Sequence, residues 1–135
     1  MQESAQWGPR DVRVLVVDDT EHVLAIVADM LRLDGFNVVG TAPDGATAIA
    51  LAQQTDPHVV VMDLRMPGPD GLETTRQLRA ARPGQQVVLY TAYLDAEIER
   101  AAAAAGAALC LAKVEGLPRL ERELVRLTLS VAKRS

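Results

Sequence analysis

Two short apolar runs end abruptly on carboxylates. Val59-Val60-Val61-Met62 stops at Asp63, and Val14-Leu15-Val16-Val17 stops at Asp18-Asp19. Unbroken apolar runs of this length, bounded by polar or turn residues, read as strands buried on both faces of a parallel sheet. Pro67 and the glycines of Leu64-Arg65-Met66-Pro67-Gly68-Pro69-Asp70-Gly71 forbid any continuation of the second run. Asp63 therefore stands at the carboxyl edge of the sheet, where open parallel sheets place their chemistry. Two further runs end on other polar groups, Val87–Tyr90 on Thr91 and Ala107–Ala112 on Lys113. Three clustered carboxylates repel and raise one another's pKa. A hard divalent cation relieves that repulsion, and Mg²⁺ accepts oxygen ligands while keeping several waters. Lysine adds a second positive charge, and a threonine hydroxyl can donate to an oxyanion. A carboxylate so surrounded is an equipped nucleophile for a phosphoryl group, whose transfer depends on charge neutralisation and positioning.

Helices must alternate with these strands if the four ends are to meet. After Asp18-Asp19, Thr20 can cap a helix with Val23, Leu24, Val27, Met30 and Leu31 at helical spacing, which Asp34-Gly35 ends. Residues 36–40 form a short second strand. Asp44-Gly45 turns into a second helix that Asp56-Pro57 breaks. A third helix spans residues 72–81, and Arg82-Pro83-Gly84 closes it. Asp95 starts an Ala-rich helix that reaches Ala105 and stops at Gly106. Alanine favours helix but buries little area, so this helix is intrinsically stable and lightly anchored. Leu117, Leu120, Leu124, Leu127 and Val131 recur every three or four residues, an amphipathic helix whose stripe packs on the core. Five strands alternating with five helices make a doubly wound, three-layer α/β domain with its first strand central.

The 135 residues carry a net charge of −4, with 24% charged residues of both signs, which gives no basic footprint for nucleic acid or membrane. The single cysteine, Cys110, excludes an intrachain disulfide and fits a reducing compartment. No apolar stretch reaches the ~18 residues of a membrane span, so the expected location is cytoplasmic. Residues 1–9 read as a flexible tail, favoured over a reading in which Trp7 folds back as a patch, residues 10–132 as the domain, and 133–135 as a second tail. His22 and His58 read as solvated or structural.

Val17-Asp18-Asp19, Met62-Asp63-Leu64-Arg65-Met66-Pro67-Gly68-Pro69-Asp70-Gly71-Leu72, Leu89-Tyr90-Thr91-Ala92 and Lys113 occur in order at strand ends. Together they resemble the receiver domain of bacterial two-component response regulators across residues 10–131. The resemblance implies a flavodoxin-like sheet in the order 2-1-3-4-5. It implies that Asp63 accepts phosphate from a histidine kinase or phosphotransfer protein. It further implies that Asp19, Asp63 and the backbone carbonyl of Arg65 ligate Mg²⁺ (or Mn²⁺), with Asp18 acting through water. Thr91 and Lys113 would bind the phosphoryl oxygens, beside a small Ala92. Such a protein is a signalling phosphoacceptor that catalyses only its own phosphotransfer and dephosphorylation.

The chain departs from the family pattern at three positions. Cys110 stands where receivers usually carry an aromatic that swings inward, and a cysteine cannot act as such a gate. Val114 stands where a proline with a cis bond is usual, and a non-proline cis bond costs about 2.5–4 kcal/mol, so a trans bond and an altered loop are expected. Leu109 stands where glycine is common. Arg65 and Tyr93 flank the expected phosphoryl site and are read as crowding the attacking water. The output surface is expected on residues 95–131, binding a downstream protein or a second copy, with no direct contact to nucleic acid. Three other readings remain: a constitutively binding pseudo-receiver, the receiver part of a DNA-binding regulator, and a Mg²⁺-dependent phosphotransfer enzyme. The last usually carries a second acid two residues past its nucleophile, where this chain has Arg65.

Overall fold

The computed structural model describes residues 7–134. Five parallel strands, β1 (Arg13–Val17), β2 (Asn37–Ala42), β3 (Val59–Met62), β4 (Gln86–Thr91) and β5 (Leu109–Ala112), form one sheet. Their order is β2-β1-β3-β4-β5. The helices are α1 (Glu21–Leu33), α2 (Gly45–Thr55), α3 (Gly71–Ala81), α4 (Ala96–Ala105) and α5 (Leu117–Arg134). The expected fold class and strand order both hold.

Alternate residues of each strand feed two cores, because successive side chains point to opposite faces. Val14, Val16, Val61, Val88, Tyr90 and Leu111 pack with Leu24, Val27 and Leu31 of α1 and Leu120 and Leu124 of α5. Leu15, Val17, Val60, Met62, Val87 and Leu89 pack with Ala48 and Ala52 of α2, Leu78 of α3 and Ala102 of α4. Ala102 and Ala105 are the only fully buried residues of α4. Two methyl groups bury little area, so α4 is the weakly seated helix that its composition predicts.

Several boundaries differ from the sequence reading. β2 begins at Asn37 and runs to Ala42, with Phe36 left outside the strand yet buried in the core. β5 begins at Leu109, and α5 continues past residue 132 to Arg134. Thr20 occupies the N-cap of α1 without a side-chain cap bond. Its backbone N–H instead donates to Asp18 Oδ1 at 2.9 Å. Every peptide bond in the described residues is trans, as expected ahead of Val114, and Lys113–Glu115 closes into a 3₁₀ turn.

The tail assigned to residues 1–9 ends sooner than expected. Residues 1–6 lie outside the described residues, but Trp7 is packed. Its indole N–H donates to Thr128 Oγ1 at 3.0 Å, and its ring meets His58 edge-on at 5.6 Å. His58 is structural, since its Nδ1 accepts the backbone N–H of Arg13 at 2.9 Å. Burial pushes its pKa down, which suits the neutral tautomer this bond requires. Trp7→Ala is therefore expected to lower stability by about 1–3 kcal/mol, read from the urea midpoint. A residue in a loose tail would change it by less than about 0.5 kcal/mol.

Candidate functional site

The register of the sheet assembles the site. Val17 pairs with Met62, so Asp18 and Asp63 leave adjacent strands at one level. Thr91 ends β4 opposite Ala112, one residue before Lys113. Asp18, Asp19 and Asp63 each offer a carboxylate oxygen within 4.8 Å of the others. Asp18 is 4% exposed and Asp19 exposed. Lys113 Nζ donates to Asp18 Oδ2 at 2.9 Å and stands 3.9 Å from Asp63 Oδ1. The N–H of Leu64 donates to that same Oδ1 at 2.8 Å. Asp63 thus keeps its second oxygen free of hydrogen bonds among the described residues. Burial pushes the Asp63 carboxyl up, the Lys113 ammonium opposes this, and the Asp18 charge adds to the rise.

The loop after Asp63 is fixed from beneath. Asp70 caps α3 by accepting the N–H of Glu73 at 2.9 Å. Gly71 then donates its N–H to Leu64 O at 2.7 Å. A Cβ on Gly71 would lie 2.5 Å from the carbonyl oxygen of Asp63 and 2.8 Å from Leu64 Cα. Both are backbone atoms with no freedom to retreat, so only glycine lets α3 approach the Asp63 loop this closely. Asp-Gly in the sequence reads as a turn. The sequence signal for this packing is that a glycine just inside a capped helix has no conformational need to be one.

The remaining predicted residues sit less centrally. Thr91 is 1% exposed, and no hydrogen bond joins its hydroxyl to the carboxylates or to Lys113 among the described residues. Ala92 is exposed at the rim, and Tyr93 is 59% exposed. Arg65 is exposed and lines a cleft with Leu72 and Ile98. Cys110 packs on the α4 side of the sheet, in a groove formed with Glu99, Ala102, Ala103 and Ala107. Burial, with a contribution from Glu99, pushes its thiol up to about 11, so it stays a neutral thiol. Tyr90 lies in the opposite core, on the α1–α5 side. Val114, at 88% exposure, projects beside Lys113 into solvent.

This fold, with acids and a lysine at one sheet edge, defines a class. The family model described as the response regulator receiver domain matches residues 14–125. The chain belongs to the response-regulator receiver family of two-component signalling. It is similar to response regulator GacA of Pseudomonas protegens, at 41% identity over 107 residues, covering 78% of this chain and 50% of the relative. It is similar also to the probable transcriptional regulatory protein TcrX of Mycobacterium tuberculosis, at 44% identity over 81 residues, covering 60% of this chain and 34% of the relative. Among solved structures, the signal receiver domain of the putative response regulator NarL from Mycobacterium tuberculosis superposes with a TM-score of 0.76 at 37% identity. That match covers 90% of this chain and 96% of the other. The chain spans about half the length of the GacA relatives it matches. No helix in the described residues is long and apolar enough to cross a membrane.

Burial and two like charges oppose the ionisation of Asp63, so removing its charge relieves the fold. Without divalent metal, Asp63→Asn is expected to raise stability by roughly 0.5–1 kcal/mol, discounted for partial exposure. In a thermal melt that is a rise of about 2–5 °C.

Proposed function

We propose that the chain is a working receiver, with Asp63 as phosphoacceptor. The observation that carries this reading is the Asp63 carboxylate at the sheet edge beside two acids, with Oδ1 3.9 Å from the Lys113 ammonium and the other oxygen unpartnered among the described residues. The expected donor is the phosphohistidine of a histidine kinase or phosphotransfer protein. A bond forms from the free Asp63 oxygen to phosphorus as the P–N bond breaks, and the imidazole leaves with the electron pair. The donor set suits a divalent cation, because three carboxylate oxygens gathered around one point need positive charge beyond a single lysine. Asp19, Asp63 and the carbonyl of Arg65 would hold Mg²⁺, or Mn²⁺ in its place, with Asp18 acting through water. When bound, the cation neutralises charge on the phosphoryl oxygens.

Lys113 has a second task in this reading. Already bonded to Asp18, it lies close enough to Asp63 to move onto a phosphoryl oxygen with a small rotation. Thr91 would donate its hydroxyl to another oxygen, and Ala92 leaves the rim uncrowded. Output would pass through residues 95–131, where α4 is held by two buried alanines, toward a downstream protein or a second copy. The groove at Cys110 leaves no aromatic to swing, so movement of α4 itself would carry the signal. Catalysis is limited to the chain's own phosphotransfer and dephosphorylation. The relatives' greater length, and the transcriptional name that one of them bears, favour a second reading in which this domain regulates a DNA-binding partner or segment. A net charge of −4 with no basic cluster disfavours direct contact between this domain and nucleic acid.

Incubation with Mg²⁺ and acetyl phosphate should give one phosphoryl adduct by intact mass, absent without Mg²⁺ and absent in Asp63→Asn. No adduct with any donor would instead make the chain a constitutive binding module. If Arg65 and Tyr93 shield the phosphoryl group from water, replacing both with alanine should shorten the adduct's half-life severalfold. An unchanged half-life would remove them from the account.

A further inference from the structure

A second pair of acids lies on the other side of the molecule. Asp34 is the C-cap residue of α1, and Glu121 follows the fully buried Leu120 on α5. Both line a cavity of about 380 Å³ whose other walls are Pro9, Phe36, Arg122 and Val125. Glu121 Oε2 is buried and meets no hydrogen-bond partner in the described residues. Arg122 lines the cavity but forms no ion pair with either acid there. The neighbouring elements supply little else. Phe36 ahead of β2 and Pro9 of the first turn carry no charge. From β4, the buried Tyr90 feels Glu115 and Glu121, which push its phenol further up and keep it protonated.

Two ionised carboxylates have no donor between them, so a hydrogen bond from one to the other requires a proton. Asp34 is exposed and Glu121 partly buried, but Glu121 Oε2 itself is buried, so the doubly ionised pair combines desolvation of that oxygen with repulsion, and a shared proton removes both. We propose that Asp34 and Glu121 form a proton-sharing latch joining the end of α1 to α5, closed while one proton is held between them and opened by its loss. Burial, then the bond and charge of Asp34, push the Glu121 carboxyl up to about 7. The proton belongs to the pair, which titrates as a unit. A carboxyl whose pKa is raised on folding binds its proton more tightly when folded. The latch is therefore closed below the ordinary glutamate value of 4.5, and its contribution is lost as pH rises through about 7. α5 belongs to the proposed output surface, so its seating on α1 would loosen within the physiological range.

The test compares thermal melts of wild type, Glu121→Gln and Asp34→Asn at about pH 5.5 and about pH 8. An amide donates the hydrogen bond at every pH. Both variants should therefore lose several degrees less than wild type across this interval. His22 and His58 are present in all three proteins and cancel in the difference. Carbon-detected NMR of the Glu121 carboxyl in wild type should titrate with a midpoint near 7. Equal pH slopes in wild type and both variants, or a midpoint in the ordinary glutamate range, would overturn the latch. Should the variants not fold, the wild-type titration decides alone.

Discussion

The rest of this structure depends on keeping three carboxylates together at one edge of a sheet. Asp18 is buried, and a buried unpaired carboxylate is among the most costly groups a small domain can hold. Its counter-charge, Lys113, comes from 95 residues further along the chain. The order β2-β1-β3-β4-β5 brings the ends of β1, β3 and β5 around one crevice. The paired registers Val17–Met62 and Thr91–Ala112 then set Asp63 and Lys113 at matching depth. A one-residue slip would turn each of these side chains to the opposite face.

The site is built stiffly and its surroundings loosely, and that contrast is what a switch needs. Gly71 and the Asp70 cap press α3 against the loop carrying Asp63, so that loop has little freedom. On the far side, α4 rests on alanines, and β5 faces it with Cys110 in place of an aromatic. A neutral, half-buried thiol fills less space than a phenol and leaves a groove open beside α4.

Much of the fold and the centre of the site could be read from the sequence, because buried parallel strands announce themselves as short apolar runs. Asp18, Asp19, Asp63 and Lys113 were legible because each breaks such a run. What stayed hidden depends on contacts between distant residues. Trp7 reads as a tail residue until Thr128, 121 positions away, supplies its acceptor. Thr20 stands at the N-cap its chemistry predicts, yet its hydroxyl accepts no bond from the first turn. Gly71 reads as a turn until the backbone of Asp63 is found where its Cβ would be. Glu121 looks like any polar residue flanking a leucine stripe, and only the fold sets Asp34 across from it.

The central claim is that the acidic cluster is a cation site awaiting a phosphoryl group, with Lys113 alone too little charge to satisfy it. Calorimetric titration with Mg²⁺ addresses this most directly. Wild type should bind one equivalent, and Asp19→Asn, which leaves the buried Asp18–Lys113 pair intact, should bind at least about tenfold more weakly, a loss of roughly 1.4 kcal/mol. Equal affinity in the two proteins, or no binding in either, would contradict the account.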